Sequence, residues 1–470
     1  MDSGAKQPRP ALGVTDVMLF MVTAGCSLQW TAVAAAIGPS SLIVWVLGGF
    51  GMFLPLSVCV VVLAARYPVE GGLYGWSKRA FGPLAGFMTG WTYWTGTLAF
   101  LPSVLYFAAG SALLSSPGRD VGGASPGYFI AFSVAVLALA VVLNIRGLGV
   151  AKWLNSAGAM ARWIGTALLV LPALASWWRF GSATIINRHT IVPAFRLNDV
   201  IFWSTLAFCW TGPEAASFMS AEIRDPRRTI PRALLLAAPL IAAVYIFGTA
   251  SVLLAIPPER AGGVYGVMEA IRGAAGRLGL TWLIAVGALC VVLDRVGSLS
   301  LWIGALARIP ASAAVDSYLP ARFTRMDPVY GSPVVAIWTQ AVLVALLVVI
   351  GQSGTSVRGA YNVLIEMMVV GSMLPFLWLF AAAIKLTGGT SVGASVRIPG
   401  GRLTVIVLAL LGLATSGGSI VLAFVPPPEE ADPWLAVLKV AGMTLLLLLS
   451  GAAVYLGGRR RLRRQALSPR

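Results

Sequence analysis

Phe208-Cys-Trp-Thr-Gly-Pro-Glu214 interrupts an apolar segment that is otherwise long enough to cross a membrane. Glycine lowers helix stability, and proline removes a backbone donor and clashes with the preceding turn. A second interruption, Thr23-Ala-Gly-Cys-Ser27, lies in the first apolar segment. Unwound backbone at membrane depth is tolerated only where it is buried in protein or lines a cavity. The two interruptions therefore predict a pair of broken helices beside a site inside the membrane.

The apolar pattern continues along the whole chain. Of the 470 residues, 58% are hydrophobic and 11% are charged, whereas soluble proteins have roughly 25% charged residues. Segments of about 20 apolar residues recur, and each can cross the hydrocarbon core as a helix. The fold class that we predict is an all-α polytopic membrane protein of about twelve transmembrane helices. We place these helices at 13–38, 41–65, 84–113, 127–144, 153–178, 199–220, 233–256, 279–307, 333–350, 361–385, 403–425 and 434–457.

The two interruptions fall in the first and sixth predicted helices, five helices apart. This spacing predicts an inverted five-plus-five repeat with the substrate between the two broken helices. The first repeat then covers 13–178 and the second covers 199–385, and two additional helices lie at 403–457. Because the loops between helices are short, we expect residues 1–470 to form a single membrane domain.

The net charge of +17 comes mainly from loops between apolar segments. Such a distribution follows the positive-inside rule and argues against nucleic acid as a partner. An even number of helices puts both termini on one side, and the arginine cluster at 459–464 identifies that side as the cytoplasm of a bacterial inner membrane. The cysteines have no zinc-ligand spacing, and the single histidine lies in a polar loop. We therefore expect no metal or cofactor.

Other functional classes leave recognisable motifs that this chain lacks. The sequence has no H-E-x-x-H motif, no G-x-S-x-G elbow and no G-x-x-x-x-G-K-[ST] loop. A membrane-embedded enzyme is therefore disfavoured, and this chain alone cannot bind ATP through a P-loop. A channel or a substrate sensor built on the same fold stays open at this point.

Short sequence motifs carry a more specific signal than the apolar pattern. Tyr67-Pro-Val-Glu-Gly-Gly-Leu-Tyr74 is followed by Gly90-Trp-Thr-Tyr-Trp94, and Gly212-Pro-Glu214 by Glu222-Ile-Arg-Asp-Pro-Arg-Arg-Thr-Ile-Pro231. With these motifs the chain resembles the amino acid–polyamine–organocation permeases over nearly its whole length. The resemblance implies a secondary transporter of amino acids or related amines that works by alternating access. Its partners would be a small-molecule substrate and the lipid bilayer, and the oligomeric state stays open.

The ends of broken helices suit a zwitterion. A half-helix N-terminus presents N–H groups and positive dipole to a carboxylate, and a half-helix C-terminus presents carbonyls to an ammonium group. The resemblance implies substrate-binding positions in predicted helices 1, 3, 6 and 8. They are Gly25, Cys26, Ser27, Gly96, Thr97, Phe208, Cys209, Thr211, Gly212 and Trp302. Cys26 and Ser27 depart from the Gly-Ser-Gly that the family usually has in helix 1.

Three charged residues are candidates for coupling and gating. Glu214 borders an interruption and is a candidate proton-sensitive gate. Arg162 falls where sodium-independent family members have a helix-5 lysine, and a fixed cation there would repel sodium. Because arginine stays protonated, Arg162 would brace helices rather than carry the proton. Asp294 is its candidate partner. The alternative for Arg162 is a side chain that snorkels to the cytoplasm. We expect sodium-independent proton symport or exchange.

Overall fold

The computed structural model describes residues 12–67, 72–115, 125–195, 197–310, 318–352, 357–387, 398–425 and 433–467. These residues form helices joined by short connections, and we number the long helices in chain order. Helices 1 to 6 are Val14–Gly25 (1a) with Leu28–Ala35 (1b), Ser41–Arg66, Pro83–Leu113, Pro126–Ile145, Leu148–Phe180, and Leu197–Cys209 (6a) with Pro213–Glu222 (6b). Helices 7 to 12 are Pro226–Ala255, Trp282–Leu306, Val334–Gln352, Val357–Leu386, Gly401–Leu422 and Pro433–Leu467.

Ten of these helices, within the described residues, are long and apolar enough to cross a membrane without a break. The other two segments carry the predicted interruptions. Helix 1 bends by 40° between its halves, and helix 6 is α-helical to Cys209 and continues from Pro213 as a 3-10 helix. The structure therefore confirms an all-α polytopic protein with breaks in helices 1 and 6, and its described residues hold ten apolar spans, or eleven if the two halves of helix 1 form one.

The connections contain structure outside the predicted spans. Gly266–Leu278 forms a helix between helices 7 and 8, and it buries Met268, Ile271 and Ala275 against the bundle. Helix 7 begins at Pro226, seven residues before its predicted start at 233. Proline is tolerated at the first helical position because the N–H group there has no intrahelical partner.

Glycine pairs set the close helix crossings that position the interior. A Cβ atom on Gly158 of helix 5 would lie 2.9 Å from the Cα atom of Gly297 of helix 8. This backbone contact brings Arg162, one turn beyond Gly158, alongside helix 8. A Cβ atom on Gly96 of helix 3 would lie 2.3 Å from the carbonyl carbon of Gly371 of helix 10. Gly96 is therefore a helix-packing glycine.

The two helix breaks cross each other in direct contact. Gly212 has a φ of +116°, and a Cβ atom there would lie 2.8 Å from both the Ala24 carbonyl oxygen and the Gly25 Cα atom. The hydroxyl of Tyr245 from helix 7 lies 2.8 Å from the Gly25 carbonyl and 3.0 Å from the Cys209 carbonyl. The single O–H proton of this phenol can go to either of the C-terminal carbonyls of helices 1a and 6a, so the two breaks share one donor.

Gly212→Ala should lower the stability of the protein and weaken ligand binding. An L-residue at this positive φ is strained by roughly 1–3 kcal/mol, and its Cβ atom would push the backbones of helices 1 and 6 apart. The matched control is Gly417→Ala in helix 11, where a Cβ atom would meet no atom within 4 Å. The unfolding midpoint should be lower than that of the wild type for Gly212→Ala and unchanged for Gly417→Ala. Equal midpoints would contradict the backbone contact.

Candidate functional site

A cavity of about 50 Å³ lies where the two breaks cross, between helices 1, 3, 5, 6, 7, 8 and 10. Since one water needs roughly 10–15 Å³ of such volume, the cavity holds only a few waters. An amino-acid-sized ligand therefore requires the surrounding helices or side chains to move. The predicted residues that border it are Gly25, Cys26, Ser27, Thr97, Phe208, Cys209, Thr211, Gly212, Trp302, Arg162 and Glu214.

An aromatic group covers one end of the cavity. The Trp30 ring of helix 1b stacks on the Phe100 ring of helix 3, with the ring centroids 6.1 Å apart. The same Trp30 ring is in edge-on contact with Phe208 of helix 6a, at a centroid distance of 5.8 Å. Phe100 and Phe208 are themselves 6.4 Å apart. These three rings come from three different helices, two of them half-helices.

A carboxyl group occupies a second part of the cavity wall. Glu214 is 2% exposed, and its Oε2 accepts a hydrogen bond of 2.6 Å from the Gly212 N–H. Its Oε1 lies 3.2 Å from the Tyr93 hydroxyl, which can donate to it. Tyr93 precedes Phe100 by seven residues on helix 3, about 10 Å along the helix axis. Glu214 is therefore separated from the aromatic group along the direction of helix 3.

Arg162 connects helices 1, 5 and 8. Its guanidinium donates from Nε to Asp294 Oδ1 at 2.8 Å, from Nη2 to the Ser298 hydroxyl at 2.7 Å and from Nη1 to the Thr23 carbonyl at 2.7 Å, with the Val22 carbonyl at 3.4 Å. The carbonyls at the end of helix 1a have no intrahelical donors, so Arg162 satisfies groups that the break exposes. With 3% exposure, its side chain is buried and does not snorkel.

A second guanidinium shares the same carboxylate. Arg295 donates from Nε to Asp294 Oδ2 at 3.1 Å and from Nη2 to the same oxygen, and from Nη1 to the Ser27 hydroxyl at 2.7 Å. Adjacent positions on a helix point about 100° apart, yet the length of the arginine side chain lets these neighbours pair. Arg295 borders the cavity, whereas Asp294 lies behind it and holds both arginines.

The structure departs from the predicted site in two ways. Gly96 is not among the residues that border the cavity, because its backbone contacts Gly371. Sequence reasoning also missed part of the lining, namely Thr23, Ala24, Trp30, Tyr93, Phe100, Tyr245, Arg295, Ser298, Ser372 and Phe376. Arg295, Ser298 and Trp302 share one face of helix 8 at helical spacing. A charge inside an apolar segment is the signal that could have identified Arg295.

No group of three His, Cys, Asp or Glu side chains that could hold a metal ion occurs in the described part of the chain. The four cysteines Cys26, Cys59, Cys209 and Cys290 are free and buried.

Comparisons with known proteins agree with this architecture. An uncharacterized transporter of Legionella pneumophila is 27% identical over 90% of this chain and 91% of its own. The glutamate/gamma-aminobutyrate antiporter of Lactococcus lactis is 24% identical over 82% of this chain and 78% of its own. A probable agmatine/putrescine antiporter of the same organism is 24% identical over 63% of this chain and 62% of its own.

The crystal structure of MhsT in complex with L-phenylalanine matches the fold with a TM-score of 0.58. The match covers 96% of this chain and 100% of that one at 15% sequence identity, and it supports the inverted-repeat transporter fold. The family profile for amino acid permeases matches residues 12–447. These relatives are transporters and not enzymes. The chain belongs to the amino acid permease family.

Proposed function

We propose that this protein is a secondary active transporter that moves amino acids or related amines across the cytoplasmic membrane by alternating access, without sodium. The observation that carries the proposal is the small cavity at the crossing of the two helix breaks, with Arg162 bound to the exposed end of helix 1a. The names of the relatives support this class of substrate. We also propose that residues 13–178 and 199–385 form the two repeats.

The walls of the cavity suit a ligand with separated charges. Helix 1b begins after Ser27, whose hydroxyl accepts from the Gln29 N–H at 3.2 Å, and the positive dipole end of this half-helix favours a carboxylate. Glu214 stands in another part of the wall, where it can face an ammonium group. The rings of Trp30, Phe100 and Phe208 would then contact the side chain of the substrate.

Counterflow uptake in proteoliposomes distinguishes a transporter from a channel or a sensor. Vesicles loaded with a mixture of unlabelled amino acids should accumulate labelled amino acid faster than empty vesicles. The reason is that the binding site of a carrier returns to the outer face with an unlabelled amino acid bound. A channel gives flux without trans-stimulation, and a sensor gives no flux; either result would contradict the proposal.

We propose that both termini face the cytoplasm, because the arginine cluster at 459–464 and the loop charges agree with the positive-inside rule. A Gln465→Cys variant should resist an impermeant thiol reagent added to intact cells. Labelling of this variant at position 465 by reagent outside the cells would contradict the proposed orientation.

Uptake should be equal in sodium and choline buffers, and it should depend on Arg162. The guanidinium occupies carbonyl and hydroxyl oxygens that could otherwise coordinate a cation, and it repels a second cation. Arg162→Lys should retain part of the uptake, since lysine keeps the charge but loses the fork of N–H donors. Arg162→Ala should lose nearly all uptake, because it leaves the buried Asp294 with one partner and removes the donor to the Thr23 and Val22 carbonyls of helix 1a.

The matched control for this prediction is Arg260→Ala, because the Arg260 side chain is 64% exposed and its partner Glu269 keeps a second arginine, Arg272. Loss of an exposed charge costs little, so this variant should transport at the wild-type rate. A clear sodium requirement, or a fully active Arg162→Ala variant, would contradict the assigned role of Arg162.

Glu214→Gln should flatten the pH dependence of uptake. Glutamine keeps the size of the side chain and an acceptor for the Gly212 N–H, but it cannot exchange a proton with solvent or substrate. Tyr93→Phe is the control, since it removes one hydrogen bond to Glu214 and leaves the carboxyl group in place. This control should stay pH-dependent. An active Glu214→Gln variant with an unchanged pH profile would show that Glu214 is not the proton-sensitive group.

A further inference from the structure

Three buried ionisable groups near the break in helix 1 do not balance in charge. Arg162, Asp294 and Arg295 are each at most 3% exposed, and the two guanidiniums share one carboxylate. Two positive charges and one negative charge leave a net charge of +1. An uncompensated buried charge is destabilising, so this group favours an additional anion.

Glu214 does not supply that anion by direct contact. Its two carboxyl oxygens bond to the Gly212 N–H and the Tyr93 hydroxyl, and within the described residues no ion pair joins it to either guanidinium. Glu214 is also the sole acidic residue among the described residues that border the cavity. A substrate carboxylate in the cavity would supply a compensating negative charge at the guanidiniums.

The two arginines differ in the donors that they have left. Arg162 makes four hydrogen bonds with described residues, to Asp294, to Ser298 and to the carbonyls of Thr23 and Val22, so that one of its N–H groups is left. A guanidinium carries five N–H donors. Arg295 makes three hydrogen bonds with described residues, two to Asp294 and one to Ser27. Two of its N–H groups therefore stay available in a side chain that borders the cavity.

Resting on the proposed transport function, we infer that Arg295 binds the substrate carboxylate and thereby selects amino acids over the amines that lack a carboxylate. The carboxylate would accept from the remaining N–H groups of Arg295 beside the Ser27 hydroxyl, near the positive dipole end of helix 1b. A polyamine or agmatine brings only positive charge to this end and is repelled by both guanidiniums. The protein is then a carrier of α-amino acids and not of polyamines.

The test compares compounds that differ only by the carboxylate group. The probes are phenylalanine with phenethylamine, arginine with agmatine and ornithine with putrescine, each as a competitor in counterflow uptake and as a stabiliser of the purified full chain. For at least one pair, the amino acid should bind to the wild type at least roughly tenfold more tightly than its amine, as expected for a hydrogen bond to a charged group.

Two variants identify Arg295 as the source of the discrimination. Arg295→Met should weaken the binding of the amino acid, so that the ratio of the two affinities within that pair falls to near one. Arg295→Lys should restore part of this ratio. Loss of Arg295 leaves Arg162 and Asp294 as a matched ion pair, so the fold should survive. Arg260→Met, the same change at the surface, should keep the wild-type ratio.

The outcomes separate this inference from the proposed function. If all three amines bind to the wild type as tightly as their parent amino acids, the role of Arg295 is overturned while transport stands. An Arg295→Met variant that keeps the full ratio would overturn it as well. If none of the six compounds binds, competes or is exchanged, the proposed function itself fails, and the inference fails with it.

Discussion

The bonds from Arg162 to the open end of helix 1a are the interaction on which the interior depends. A helix that stops inside the membrane leaves carbonyls without donors, and such groups are costly where no water reaches them. Arg162 supplies donors to the carbonyls of Thr23 and Val22 and binds Asp294 and Ser298 on helix 8. One cation therefore stabilises the break and holds helices 1, 5 and 8 together.

The arrangement requires close backbone contacts as well as charge. Gly158 and Gly297 allow helices 5 and 8 to approach until a Cβ atom on either would lie 2.9 Å from the other glycine. Gly212 lets the break in helix 6 lie directly on the break in helix 1. The Tyr245 hydroxyl then lies within hydrogen-bond distance of the carbonyls at the ends of both half-helices. The cavity is thus bounded by broken backbone on one side and by rings and charged groups on the others.

Much of this was predictable because membrane helices leave strong local signals. The spans follow from the length of the apolar segments, and Gly212 and Pro213 identify the break in helix 6 by their backbone chemistry. The pairing of Arg162 with Asp294 was a hypothesis, since a charge inside a span needs a partner but does not specify which one. The structure confirms that contact.

Other parts of the site could not be read from the sequence. Gly96 resembles a cavity residue by position, and only the path of helix 10 shows that it packs on Gly371. Tyr93 and Tyr245 are ordinary aromatic residues in apolar segments, and their hydroxyls become informative only when the breaks lie beside them. Arg295 is a charge inside an apolar segment, but its pairing with Asp294 depends on the reach and rotamer of a long side chain.

The central claim is that Arg162 occupies the place of a bound cation, so that helix 1 is braced without sodium. The unfolding midpoint of the purified wild-type protein in sodium chloride and in choline chloride at equal ionic strength tests this claim most directly. A ligand that binds the native state raises the midpoint by mass action. The account predicts the same midpoint in both salts. A midpoint that rises with sodium concentration would contradict it.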